Sequence, residues 1–271
     1  MEENINIYEV PYMDEILKYL PIDPVDTEDV NFYIQNIVNL IAVNYKYGQF
    51  QFAYFGYHLL YMTYIYCTVW KISRINPERY NDAVLFARPY EGNKIDLKNI
   101  ESIFEYSKMP EKDLPKIFNI IDLDEPQIGI ICSLVNTRNN MAHASGKFDI
   151  LTEENFIANV SAIHTSIKNI HKCMNAQIRK WFCTLLRSYI NGDFKYENGN
   201  SEYTDAEPIE IIEQEMIQNF NLSRYELLIC NEMSIKKLCE ELPEQAIKLK
   251  EFKELLKKYC IENEIILDIA C

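Results

Sequence analysis

Arg138, Asn139 and His143 lie together in the stretch RNNMAHASG, residues 138–146. An arginine stays charged at any working pH and presents a planar fork of donors, so it seeks a carboxylate, a carbonyl or a phosphate. A histidine changes charge near neutrality and can move protons to and from a reacting oxygen. Together they are side chains of the kinds that bind an anion and move a proton. On a helix, Asn139 and His143 share a face, whereas Arg138 and His143 diverge by about 140°. They converge on one atom if the helix end distorts, or if a second copy packs against it and the two arginine-bearing faces bury each other. The structural alternative pairs Arg138 with an acid between helices and leaves His143 to complement the dipole at the helix C-terminus.

The element that must carry them is a helix over 127–145, following DEP and stopping before Gly146. Its apolar stripe is Ile131, Leu134, Val135, Met141 and Ala142, with Arg138 near the middle of it. The next helix opens at Thr152, an N-cap followed by Glu153 and Glu154 in the first turn. Apolar residues at 156, 160, 163, 167, 170, 174, 178, 181 and 185 carry it to about 189.

Upstream, a helix is expected over 28–44 and a second over about 49–74. The second holds the longest uncharged run, between Lys46 and Lys71, long enough to cross a membrane. Glutamines, a histidine and tyrosines spread along it favour a buried core helix. His58, within that run, reads as a hydrogen-bonded core histidine. Residues 1–27 read as an N-terminal extension, 28–190 as a helical domain with an insertion at about 75–125, 191–207 as a polar linker and 208–271 as a C-terminal appendage. YELLIC and EIILDIA in the appendage are compatible with helix or strand, so it is helical or α+β.

Composition supports an all-α chain: of 271 residues 48% are hydrophobic, yet only 7 are Gly and 10 are Pro. The eight cysteines form no C-x-x-C pair, so neither a disulfide framework nor a zinc site is expected, and a reducing cytoplasm fits. No Walker loop, G-x-G-x-x-G, H-E-x-x-H or G-x-S-x-G occurs, and no metal or cofactor is expected.

The net charge of −14 argues against indiscriminate nucleic-acid binding. The distribution is uneven: between 126 and 192 the acids are Asp149, Glu153 and Glu154, against Arg138, Lys147, Lys168, Lys172, Arg179, Lys180 and Arg187. On the helix after Thr152, His164, Lys168, His171, Lys172, Asn175 and Arg179 share a stripe away from the apolar seam. This stripe is either a solvated face or, with Lys147, a contact surface for an RNA backbone.

Arg138, the polar Asn139 and then His143, near the end of a helix in an all-α chain, resemble the motif of the HEPN superfamily of antiparallel helical bundles. The resemblance implies a metal-independent endoribonuclease, often homodimeric, of the kind that serves in phage defence, toxin–antitoxin pairs or stress responses, with a regulatory protein or antitoxin as a further partner. It implies Arg138 on the scissile phosphate, His143 in proton transfer for attack by the ribose 2′-hydroxyl, and Asn139 orienting the site. Ser145 stands where some HEPN domains paired with nucleotidyltransferases carry an acceptor tyrosine, which disfavours that regulation. The superfamily also holds non-catalytic members, so an RNA- or nucleotide-binding module or a protein scaffold is the alternative.

Overall fold

The computed structural model describes residues 9–22, 28–85, 87–90, 95–142, 151–197 and 203–265, and for 28–31 and 142 the backbone alone. It is an all-α chain with one short β-hairpin among the described residues. The chain divides into two compact units, Met1–Leu20 with Thr27–Met174, and Pro21–Asp26 with Asn175–Cys271.

The first unit is built around α3, Phe50–Ile75, after α1, Met13–Leu17, and α2, Glu28–Lys46. From Leu60 to Ile72 every residue of α3 is buried, as a helix apolar all round requires. No described helix is long and apolar enough to cross a membrane. The tyrosines of α3 explain how such a helix can sit in a protein core: their rings fill volume while their hydroxyls reach polar partners on neighbours. Tyr57 donates to the Pro11 carbonyl, Tyr61 bonds Ser166 Oγ at 2.7 Å and Tyr64 donates to the Ile167 carbonyl at 3.3 Å.

The α2–α3 turn follows from Gly48, whose φ of +69° is left-handed. Gly48 N–H donates to the Tyr45 carbonyl and Gln49 N–H to the Asn44 carbonyl, closing the end of α2. Gly56 then lets the two helices approach closely, because a Cβ there would lie 2.3 Å from Ile41 Cγ1.

Beyond α3 come α4, Pro77–Val84, and two 3-10 helices, Ile103–Lys108 and Leu114–Ile121, in the span expected to be an insertion. They pack on the core: Ile103, Tyr106, Leu114, Phe118 and Ile121 are buried. Helix α5, Glu125–Ala142, starts where Asp124 Oδ1 accepts from Gln127 N–H at 2.8 Å. Helix α6, Glu153–Asn191, starts at Thr152, whose hydroxyl accepts from Asn155 N–H at 3.3 Å as expected of a cap. Phe156, Val160, Ile163, Ile167, Ile170, Met174 and Ile178 are buried along it. The division between the units falls within α6, between Met174 and Asn175.

The second unit contains the rest of α6, the hairpin β1, Lys195–Glu197, with β2, Tyr203–Asp205, then α7, Pro208–Glu210, running into a π-helix, Ile211–Asn219. The polar segment expected to be a linker therefore carries paired strands. The YELLIC stretch is helical, within α8, Arg224–Glu232, because Ser223 and Glu226 form a capping box at its start. Helices α9, Lys236–Glu241, and α10, Ala246–Glu262, complete the unit. Trp181, expected in the buried seam, is partly exposed and stacks on Phe220 with centroids 3.9 Å apart, while its neighbour Phe182 is fully buried. Lys253 Nζ donates to the Cys230 and Asn231 carbonyls, satisfying the open end of α8. Most of EIILDIA lies outside the described residues.

Candidate functional site

Arg138 leaves the last turns of α5 beside Leu134 and Val135, which are buried, and meets a carboxylate of its own chain. Its Nη2 donates to Glu111 Oε2. Glu111 lies in the turn between the two 3-10 helices, which Asp113 N–H closes onto the Pro110 carbonyl at 2.9 Å. The same Oε2 bonds His58 Nε2 at 3.2 Å. One carboxylate oxygen thus ties α5 to α3. The side chains of Arg138 and Glu111 are 27% and 21% exposed, while that of His58 is 2% exposed.

Around this pair lies a concentration of unused hydrogen-bonding capacity. Among the described residues, the buried side-chain atoms without a partner are Gln51 Oε1, Tyr54 Oη, His58 Nδ1 and Arg138 Nε. Gln51, Tyr54 and His58 share a face of α3, at positions i, i+3 and i+7. Gln51 Nε2 also reaches the Met141 carbonyl of α5 at 3.3 Å. A buried polar atom left without a partner costs about 1–3 kcal/mol, so four gathered at one place set this part of the unit apart from an ordinary core. Burial pushes the Tyr54 hydroxyl up to about 12, with the Arg138 charge opposing. Burial also works against the charge of Glu111, but the bonds and charges of His58 and Arg138 outweigh it and hold its carboxyl below the usual range.

Asn139 follows Arg138 on α5 and is half-buried. His143 and Lys147 lie outside the described residues. His58 is the bonded core histidine its surroundings suggested. Glu111 was not singled out by sequence reasoning; it lies 27 residues before Arg138 with no periodic relation to it, and the turn-forming context MPEKDLP was its only signal.

The basic stripe of α6 is narrower in three dimensions than on the wheel. His164 lies 5.1 Å from the ring of Tyr12, and His171 lies 5.1 Å from that of Tyr19. Burial, assisted by the Lys168 charge, lowers the pKa of His164, with Glu15 opposing. Burial, assisted by the charges of Asp124 and Asp122, raises the Cys173 thiol on the same helix, with Lys172 opposing. Lys168 and Lys172 remain exposed, and Arg179 Nε donates to Asn175 Oδ1 at 2.7 Å. Among the described residues no cluster of His, Cys, Asp and Glu could hold a metal ion.

No protein-family model matches the chain, and comparison with curated proteins and with solved structures gives no match.

Proposed function

We propose that the protein is a HEPN-like bundle acting on RNA as a metal-independent endoribonuclease. The observation that carries this reading is the partly exposed Arg138 near the end of α5, held by Glu111 amid unpaired buried groups and five residues before His143. A guanidinium fixed by one of its nitrogens keeps donors for a phosphate and pays little entropy to use them.

In this reaction His143 takes the proton of a ribose 2′-hydroxyl as O2′ attacks phosphorus. The P–O5′ bond breaks, the departing oxygen takes a proton from solvent, and Arg138 stabilises the charge that builds on the phosphorane. Asn139 orients the phosphate. The products are a 2′,3′-cyclic phosphate and a 5′-hydroxyl. Lys168, Lys172, Arg179 and Lys147 supply backbone contacts, and the setting is cytoplasmic, in defence, toxin–antitoxin or stress chemistry. The active form is a homodimer. Support comes from α2, whose outward face exposes Phe32, Leu40 and Val43, with Tyr47 just past its end, along a helix with no charged residue from Asn31 to Tyr45. Surfaces that are apolar and poor in charge suit the centre of an interface, above all between two copies of a chain carrying −14.

The test compares wild type and Arg138→Ala on RNA in the presence of EDTA. Cleavage by the wild type alone, leaving cyclic phosphate ends, supports the proposal. Activity lost in EDTA and restored by Mg²⁺ points to a different enzyme. A second reading is favoured by one observation: Glu111 already neutralises Arg138 within the chain, as a non-catalytic RNA-binding or scaffold module requires. RNA binding without cleavage, equal in the two proteins, supports that reading.

A further inference from the structure

A cavity of about 520 Å³ lies in the first unit, between α4, the segment after it and the 3-10 helix Leu114–Ile121. Its walls are largely apolar, with Val84, Leu97, Met109, Leu114, Ile117 and Ile120 contributing. The size falls within the roughly 300–1,000 Å³ typical of small-molecule sites. Polar struts hold the walls apart. Arg79 Nη1 donates to the Ile120 carbonyl at 2.9 Å, and Tyr80 Oη donates to the Leu97 carbonyl at 2.9 Å and bonds Tyr106 Oη at 3.0 Å. Two adjacent residues of α4 thus fix two walls, so collapse of the cavity would break buried hydrogen bonds.

Charge among the described lining residues is unbalanced. Lys116 Nζ and Asp113 Oδ1 pair at 2.6 Å and neutralise each other. Arg88 is exposed, lines the cavity and has no hydrogen-bond or ion-pair partner among the described residues. An exposed guanidinium at the mouth of an apolar chamber, unpaired among the described residues, selects a molecule with a hydrocarbon body and one anionic head.

We propose that this cavity binds an apolar carboxylic acid, with the hydrocarbon between Val84, Met109 and Ile117 and the carboxylate on Arg88. The site shares no residue with the Arg138 cluster and does not depend on the RNA reading.

Calorimetric titration of the full chain with decanoate and with its neutral counterpart decanol, both below micelle formation, tests it. Decanoate should bind at one site per chain, about tenfold more tightly than decanol, as expected for one charge-assisted contact. Arg88→Gln, an exposed substitution, should bring decanoate to the decanol level and leave decanol unchanged. Ile117→Trp, filling the chamber, should abolish both. Absence of decanoate binding by the wild type, or an Arg88→Gln protein that keeps the preference for the acid, overturns the proposal. So does an Ile117→Trp protein with wild-type circular dichroism and undiminished binding.

Discussion

Glu111 Oε2 accepts from Arg138 and lies 3.2 Å from His58 Nε2, so a single oxygen on a turn joins a helix end to the most buried helix of the first unit. Its removal strands two polar side chains at once. In a double-mutant cycle of Glu111→Gln and Arg138→Met, each single variant should lose about 1–3 kcal/mol in urea unfolding, and the double variant less than the sum. Additive losses would show that the pair is not coupled.

The same pair fixes a pH dependence. The folded pKa of Glu111 is depressed from an ordinary value of 4.5. Its contribution is therefore fully present above that value and is lost as pH falls through the lower folded one. The stability difference between wild type and Glu111→Gln should be constant near neutrality and shrink on acidification below about 4.5. A difference independent of pH down to acid unfolding would contradict this.

Gly56→Ala sets two effects against each other. Alanine favours a helix by about 1 kcal/mol over glycine, while overpacking a tight contact costs about 1–3 kcal/mol. The added Cβ meets Cγ1 of Ile41, a fully buried side chain with nowhere to swing, at 2.3 Å. Overpacking should win, and the melting temperature should fall. A rise would mean that α2 yields freely.

The proposed RNA function rests in part on Lys168 and Lys172, which are exposed on α6, and on Arg179. Replacing all three by Gln should weaken RNA binding and flatten its salt dependence by about 0.7 per lost phosphate contact on a single strand. An unchanged slope in filter-binding titrations would return the stripe to a solvated face.

Arg138→Ala and His143→Ala should each abolish cleavage while the proteins stay folded. If the catalytic pair forms between copies, mixing the two variants through unfolding and reassembly should restore part of the activity; if each chain supplies both groups, the mixture stays inactive. Leu40→Glu with Val43→Glu should shift sedimentation to the monomer, separating a failure to pair from a failure of chemistry.

The helices themselves were legible because their signals are local. Thr152 caps α6, apolar residues recur along it at intervals of three and four, and the uncharged run from Tyr47 to Trp70 accounts for nearly all of α3. The same local logic placed Arg138 on the apolar side of α5. What occupies that side with it could not be read, since hydrophobic period says which face is buried and nothing about what covers it. Glu111 reaches Arg138 only because α5 and the 3-10 turn pack against α3, and Tyr12 and Tyr19 cover His164 and His171 only once α1 docks. The pairing of Lys195–Glu197 with Tyr203–Asp205 is not legible in the sequence either, because three-residue strands have too few positions to show alternation. Spacing along the chain determined the elements and their buried faces; contacts between residues far apart in sequence decided which charges meet, because only packing brings their atoms within a few ångströms.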